Sequence, residues 1–125
     1  MDNSKDKLDV IFSLQQQLNG HIAKTRGLDF SDKSLWLQRE TLAMLSEMAE
    51  LLNEVNFKWW KNHKPVDDNA VKEEIVDIFH FFVSMCLIAG MDASELYEIY
   101  LQKNEENFKR QFGTSLKEGY SLENR

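Results

Sequence analysis

Residues 75–89 are apolar at almost every position, and their only polar members are Asp77, His80 and Ser84. A helix on the outside of a small bundle has one apolar stripe, whereas a helix that is apolar all round is buried. Because a chain of 125 residues offers few other helices to cover this one, we predict that a second copy completes the cover, in a homodimer or a dimer of dimers. The segment is shorter than the roughly 20 apolar residues of a membrane span, so we expect no membrane partner.

Helical spacing of apolar residues recurs along the chain, and the alternation that is typical of strands is absent. The sequence predicts four helices, over residues 8–24, 35–61, 70–89 and 93–112. Gly27, Gly90 and Gly113 follow three of them, and Asp92 with Glu95 begins the fourth in the pattern of a capping box. We therefore predict an all-α fold, a four- to five-helix bundle that forms one domain over residues 1–125, with a polar tail over residues 113–125.

The charge balance and the cysteine content narrow the class of protein. The chain has 15 Lys and Arg residues against 21 Asp and Glu residues, a net charge of −6. Nucleic-acid-binding domains carry a basic surface for phosphate, so we expect no nucleic-acid partner. The single cysteine, Cys86, cannot form an internal disulfide, and the first ten residues lack an apolar signal core. Both features predict a cytoplasmic protein.

Acidic side chains cluster on the two middle helices. Four glutamates share one face of the second predicted helix, within roughly 80° at helical spacing: Glu40, Glu47, Glu50 and Glu54. Four polar residues share one face of the third, within about 60°: Glu73, Asp77, His80 and Ser84. Lys58 and Lys61 continue the stripe of the second helix, and Glu74 lies about 60° from Asp77 on its other side. These faces predict either solvated surfaces or a shared cation site.

The spacing Glu-x-x-Glu on one helix and Glu-x-x-Asp on the next can bring four carboxylates to one point. Hard oxygen ligands in that number suit Mg²⁺ or Mn²⁺, and two such cations can hold a polyphosphate. A di-iron site usually needs Glu-x-x-His on two helices, whereas this chain has Asp77-x-x-His80 once. The pattern favours hard divalent cations, and it leaves open whether Glu73 or Glu74 is a ligand and whether Glu54 joins the site.

Five short segments occur in order along nearly the whole chain. They are Leu14-Gln15-x-x-Leu18-Asn19, Glu47-x-x-Glu50-Leu-Leu, Phe57-Lys58-Trp59-Trp60-Lys61-Asn62, Glu74-x-x-Asp77-x-x-His80 and Lys103-Asn104-x-x-Asn107-x-x-Arg110. With these segments the chain resembles the all-α nucleoside triphosphate pyrophosphatases. The resemblance is closest to the dimeric, all-helical dUTPases, which are related to the MazG-like enzymes.

The resemblance implies a role for each matching position. The implied Mg²⁺ ligands are Glu47, Glu50, Glu74 and Asp77, and Glu47 or Glu50 is the implied catalytic base. The amides that would read the uracil edge are those of Gln15 and Asn19, and the implied lining of the nucleoside pocket is Trp60 and His80. The implied contacts to sugar and phosphates are Lys58, Lys61, Lys103, Asn107, Arg110, Lys117 and Tyr120.

The reaction that the resemblance implies is hydrolysis of dUTP to dUMP and pyrophosphate, with Mg²⁺ as cofactor and Mn²⁺ as its substitute. The longer dimeric dUTPases carry a helical insertion before the final helix, whereas only a few residues around Met91 precede it here. Shorter relatives accept dCTP or other nucleotides, so a MazG-like pyrophosphatase of such substrates is the alternative. A helical interaction module without activity is a third interpretation, which the complete set of carboxylates disfavours.

Overall fold

A computed structural model of the chain describes residues 5–117. It contains four helices, α1 (Lys7–Arg26), α2 (Lys33–Glu54), α3 (Asp68–Ile88) and α4 (Ala93–Phe112). No strand occurs between residues 5 and 117, so the predicted all-α fold is confirmed. The chain divides into two compact units, Met1–Met91 with α1 to α3 and Asp92–Arg125 with α4. The prediction of a single domain stays a prediction.

Side-chain caps fix where the helices begin. The carboxylates of Asp32, Asp67 and Asp92 each accept backbone N–H groups from the first turn of α2, α3 and α4. At the other end, Gly27 and Gly113 adopt φ values of 62° and 74°, the left-handed conformation that glycine supplies after a helix. Because these signals are local, the observed α4 has the predicted bounds and α1 and α3 differ from prediction by one or two residues.

The predicted end of the second helix at residue 61 is wrong, because α2 ends at Glu54. Asn56 has a φ of 59°, and the N–H of Phe57 donates to the carbonyl of Leu52 at 3.2 Å, as in a Schellman motif. The side chain of Asn56 also forms two hydrogen bonds with the backbone of Lys64. Asn56 Oδ1 accepts from the Lys64 N–H and Asn56 Nδ2 donates to the Lys64 carbonyl, both at 2.9 Å. These bonds turn the chain, so residues 55–67 form a connection, and the roughly two further helical turns predicted over residues 55–61 are absent.

Within the unit Met1–Met91, α3 packs against both α2 and α1. Its side chains Val83 and Cys86 are buried, yet Val76 and Phe79 remain 53% and 38% exposed. Burial raises the pKa of the Cys86 thiol, which favours a packing role over nucleophilic chemistry. The central position of α3 therefore agrees with its composition, and one apolar face of it is left uncovered by the unit's own helices.

No single helix within residues 5–117 is long and apolar enough to cross a membrane. Only α3 and α4 taken together pass that test, by length and composition alone.

Candidate active site

Three glutamates meet where α2 and α3 pack side by side. Glu47 and Glu50 lie one turn apart on α2, and Glu74 faces them from α3. One carboxylate oxygen from each lies within 4.8 Å of the others. Asp77 follows Glu74 by one turn of α3, and its negative charge is close enough to raise the pKa of Glu74. We refer to these four residues as the acidic cluster.

The acidic cluster holds more negative charge than its surroundings neutralise. The pKa of Glu74 is raised to about 7 by burial, by a hydrogen bond with Glu47 and by the charges of Glu50, Glu47 and Asp77. One oxygen of Glu74 is buried and has no hydrogen-bond partner among the described residues. Buried carboxylate oxygens need a proton, a donor or a cation. Hard oxygen donors that converge at this spacing fit Mg²⁺ or Mn²⁺.

The structure selects between the residues that the sequence left open. Glu74 joins the cluster, whereas its neighbour Glu73 is exposed and lies outside it. Glu54, one turn beyond Glu50 on α2, is also outside the group of converging oxygens. Helical spacing alone placed Glu73 on the face of Asp77. The choice between the two depends on how α3 is rotated against α2.

A cavity of about 500 Å³ lies beside the cluster in the same unit. This volume falls within the range of pockets that hold small molecules. Two members of the cluster, Glu47 and Asp77, belong to its lining. A molecule in the cavity can therefore place one end at the carboxylates. The other polar side chains of the lining are Gln15, Asn19, Glu40, His80 and Ser84.

Four of those five polar side chains form a continuous chain of hydrogen bonds that ends at Ser84, next to Glu40, and we call the five together the polar relay. His80 Nδ1 lies 2.7 Å from Gln15 Oε1. Gln15 Nε2 donates to Asn19 Oδ1 at 3.0 Å, and Asn19 Nδ2 donates to Ser84 Oγ at 3.0 Å. The Glu40 carboxylate lies beside Ser84: burial raises the pKa of Glu40, and the Ser84 hydroxyl lowers it in part. The relay fixes the orientation of both amides before any ligand binds, because each amide oxygen and one N–H are already engaged.

Aromatic side chains form the apolar wall of the same cavity. The rings of Phe30 and Trp36 are tilted at 51° with centroids 4.2 Å apart. The indole N–H of Trp36 donates to the backbone carbonyl of Asp29, and the guanidinium of Arg39 lies 4.8 Å from the ring centroid of Trp36. These contacts hold the aromatic pair in place. A flat, partly polar molecule can pack against this wall and reach the relay with its edge.

A protein-family model described as dUTPase matches residues 7–88, which is more than half of the chain. The chain belongs to this all-helical dUTPase family. It is a nucleoside triphosphate pyrophosphatase, a hydrolase whose substrates are small nucleotides, and the predicted family and enzyme class are confirmed. Enzymes of this kind generally use a divalent metal, which the acidic cluster fits.

Curated relatives come from bacteriophages. A dCTP pyrophosphatase of Enterobacteria phage T4 is 29% identical over 89% of this chain and 84% of its own length. A dCTP pyrophosphatase of Enterobacteria phage LZ5 is 34% identical over 59% of this chain, and a DNA replication protein of phage T4 is 28% identical over 84% of it. The chain spans less than half of these last two proteins, 43% and 35% of their lengths. No solved structure matches the chain with significance.

Several residues predicted for the substrate lie away from the cavity. Trp60 is 58% exposed, packs edge-on against Trp59 at 4.6 Å between ring centroids and is not part of the cavity lining. Lys58 and Lys61 lie in the connection after α2 and line a separate hollow of about 250 Å³. Their predicted position on the glutamate stripe is wrong, because α2 ends before them.

The other predicted substrate contacts belong to the unit Asp92–Arg125. Lys103, Asn107 and Arg110 lie on α4, and Lys117 follows that helix. Arg110 is paired with Glu106 at 3.4 Å, and Glu106 also accepts a hydrogen bond from the Ser115 hydroxyl. These roles stay predictions. Tyr120 lies outside the described residues.

Sequence reasoning gave no role to three residues that line the cavity. The predicted acidic stripe includes Glu40 without a role of its own, and no prediction covers Phe30 or Trp36. A signal existed, because Trp36, Glu40 and Glu47 are spaced by four and seven residues and so share one face of α2. That spacing could have placed a carboxylate two turns and an aromatic ring three turns from Glu47 of the acidic cluster.

Proposed function

We propose that this chain hydrolyses a pyrimidine deoxynucleoside triphosphate, dUTP or dCTP, to its monophosphate and pyrophosphate, with Mg²⁺ as cofactor. The observation that carries the proposal is the position of Glu47 and Asp77. Both belong to the acidic cluster and to the lining of the cavity. A nucleotide with its base in the cavity would therefore have its phosphates at the carboxylates.

Each residue group has a part in this reaction. Glu47, Glu50, Glu74 and Asp77 would hold the cation, which supplies a positive charge for the phosphate oxygens when it is bound. Glu47 or Glu50 would take a proton from the attacking water as its oxygen bonds to phosphorus, and the α–β phosphoanhydride bond breaks to release pyrophosphate. Gln15, Asn19 and His80 would contact the base, and the aromatic wall would pack against it.

Two observations favour different bases. The family match is to dUTPases, which supports dUTP, the substrate that the sequence predicts. The two relatives described as dCTP pyrophosphatases support dCTP, the sequence-based alternative. Both substrates share a sugar, a triphosphate and a single-ring base, so the acidic cluster would treat them alike.

We also propose that the active form is a homo-oligomer. In the unit Met1–Met91 several apolar side chains of α1 and α3 are exposed, among them Leu14 at 58%, Leu18 at 44% and Val76 at 53%. A contiguous apolar face of this kind usually marks an interface. A second copy is the cover that the composition of α3 predicts.

The test is an assay of pyrophosphate release from each canonical ribo- and deoxynucleoside triphosphate, with Mg²⁺ and with excess chelator. We expect release from dUTP, dCTP or both, only when Mg²⁺ or Mn²⁺ is present. Full activity in excess chelator would overturn the metal assignment. Release from none of the substrates would favour the inactive helical module.

A further inference from the structure

One oxygen of a buried carboxylate in the cavity has no hydrogen-bond partner within residues 5–117. Glu40 is only 9% exposed, and its Oε2 is buried without a hydrogen-bond partner among the described residues. The same side chain lines the 500 Å³ cavity. Because a buried carboxylate oxygen without a donor is costly, a position of this kind indicates that the donor belongs to a ligand.

The donors of the polar relay point toward Glu40. A carboxylate accepts hydrogen bonds, which favours the single hydrogen of the Ser84 hydroxyl on the side of Glu40, the carboxyl group whose pKa Ser84 lowers. Ser84 Oγ must then accept from Asn19, which it does at 3.0 Å. By the same logic Asn19 Oδ1 accepts from Gln15, and Gln15 Oε1 accepts from the ring nitrogen of His80.

The polarised relay leaves a defined set of groups free for a ligand. Glu40 offers an acceptor, its second carboxylate oxygen. Ser84 has no hydrogen left. Asn19 and Gln15 each keep one amide N–H that the relay does not use, since an amide nitrogen carries two hydrogens. In order along the relay, the cavity therefore offers an acceptor followed by donors.

This order matches one pyrimidine edge better than the other. Cytosine presents a donor at its 4-amino group, followed by acceptors at N3 and O2. Uracil presents an acceptor at O4, a donor at N3 and an acceptor at O2, so its O4 would face the carboxylate. On these grounds we infer that Glu40 determines base specificity by accepting a hydrogen bond from the 4-amino group of cytosine, with the Asn19 N–H directed at N3. This inference rests on the proposed function and selects dCTP within it.

The inference differs from the sequence-based expectation that Gln15 and Asn19 read uracil. That expectation needs an amide oxygen to accept from the N3–H of uracil. In the structure both amide oxygens already accept hydrogen bonds from within the relay. A carboxylate at this position would accept a hydrogen bond from the 4-amino group of cytosine and would repel O4 of uracil. The same group would therefore favour dCTP and disfavour dUTP.

The first test uses the wild-type protein and three substrates in the presence of Mg²⁺. These are dCTP, dUTP and the 2-pyrimidinone deoxyribonucleoside triphosphate, which is cytosine without its 4-amino group. We expect kcat/KM for dCTP to exceed that for each of the other two by at least about 10-fold. Equal values for dCTP and the 2-pyrimidinone substrate would overturn the inference without any variant.

The second test replaces Glu40 by glutamine. The amide oxygen of Glu40→Gln would stay with the Ser84 hydroxyl, so its NH₂ group would face the ligand and turn an acceptor into a donor. We expect kcat/KM for dCTP to fall by at least about 10-fold and the dCTP/dUTP ratio to fall with it. Glu73→Gln removes the same charge at an exposed position outside the cluster and should leave the ratio unchanged.

The outcomes separate this inference from the proposed function. An unchanged dCTP/dUTP ratio in a folded Glu40→Gln protein overturns the role of Glu40 while the pyrophosphatase stands. Thermal shifts with dCMP and dUMP, measured with Mg²⁺, should show the same preference in wild type and its loss in the variant. If wild type releases pyrophosphate from neither dCTP nor dUTP, the proposed function is wrong, and this inference, which rests on it, is wrong as well.

Discussion

Glu50 and Asp77 are the residues at which the loss of one charge should lower the catalytic rate most. Each supplies a carboxylate to the acidic cluster, so replacement by the matching amide keeps the shape and removes a ligand charge. We expect Glu50→Gln or Asp77→Asn to lower kcat at least about 100-fold, equivalent to roughly 2.7 kcal/mol. Pyrophosphate release at saturating Mg²⁺ and substrate measures the loss. Glu73→Gln is the matched control, and an equal loss in that variant would contradict the assignment of Glu74.

Glu74 should make the stability of the metal-free protein depend on pH. Its pKa is raised from 4.5 to about 7 on folding. A carboxyl group with a raised pKa penalises the folded state once it ionises. The unfolding free energy in chelator should therefore fall as the pH rises from 4.5 towards 7 and level off above it.

Urea unfolding in chelator between pH 4.5 and 8 measures this dependence. Glu74→Gln cannot ionise at this position, so its profile should be flatter than that of wild type. Added Mg²⁺ should recover the stability of wild type at pH 8 and should do so less in the variant. If the unfolding free energies of wild type and Glu74→Gln change with pH in parallel, Glu74 is not the group that makes stability depend on pH.

At the scale of elements, the end of α2 depends on Asn56. This residue has a left-handed backbone conformation and bonds Lys64 through its side chain. Asn56→Ala should destabilise the protein by about 1–3 kcal/mol, since it loses those bonds and keeps a φ that alanine disfavours. Asn56→Gly loses the same bonds without the backbone strain and should be the more stable of the two in urea unfolding. The reverse order would contradict this account of the helix end.

How far an element could be predicted depended on whether its signals are local. The bounds of α4 followed from Asp92 and Gly113, which act within one turn of the helix ends. The end of α2 did not follow, because apolar spacing continues through Val55 and Trp59 while the turn depends on contacts between Asn56 and Lys64, eight residues apart. The spacing of apolar residues carries no information about a side-chain hydrogen bond between residues eight positions apart.

At the scale of the whole molecule, the uncovered apolar face predicts self-association. Phe82 is 37% exposed and stacks on Phe79 with ring centroids 6.1 Å apart. A carboxylate there would have to be buried in an interface without a partner, so Phe82→Glu should yield monomers or aggregates. Size-exclusion chromatography with light scattering should show a wild-type oligomer at micromolar concentration. Lys24→Glu, at an exposed position on α1, should keep that oligomer, and a stable wild-type monomer would refute the prediction.

The sequence by itself determined the all-α fold and the two helix faces whose carboxylates converge, with both Glu73 and Glu74 left as candidates on α3. Both follow from spacing within single helices: apolar residues at helical intervals, and Glu47 with Glu50 or Glu74 with Asp77 one turn apart. Intervals of three and four residues put side chains on the same face whatever the rest of the chain does. The amides of Gln15 and Asn19 could be paired for the same reason.

Only the tertiary structure decided which neighbours these side chains have. The rotation of α3 against α2 brought Glu74 rather than Glu73 to the cluster. The packing of α1, α2 and α3 joined His80, Gln15, Asn19, Ser84 and Glu40 into one relay. Residues such as Gln15 and His80 are 65 positions apart in the chain. Their contact depends on the relative placement of helices, which the periodicity of any one helix leaves undetermined.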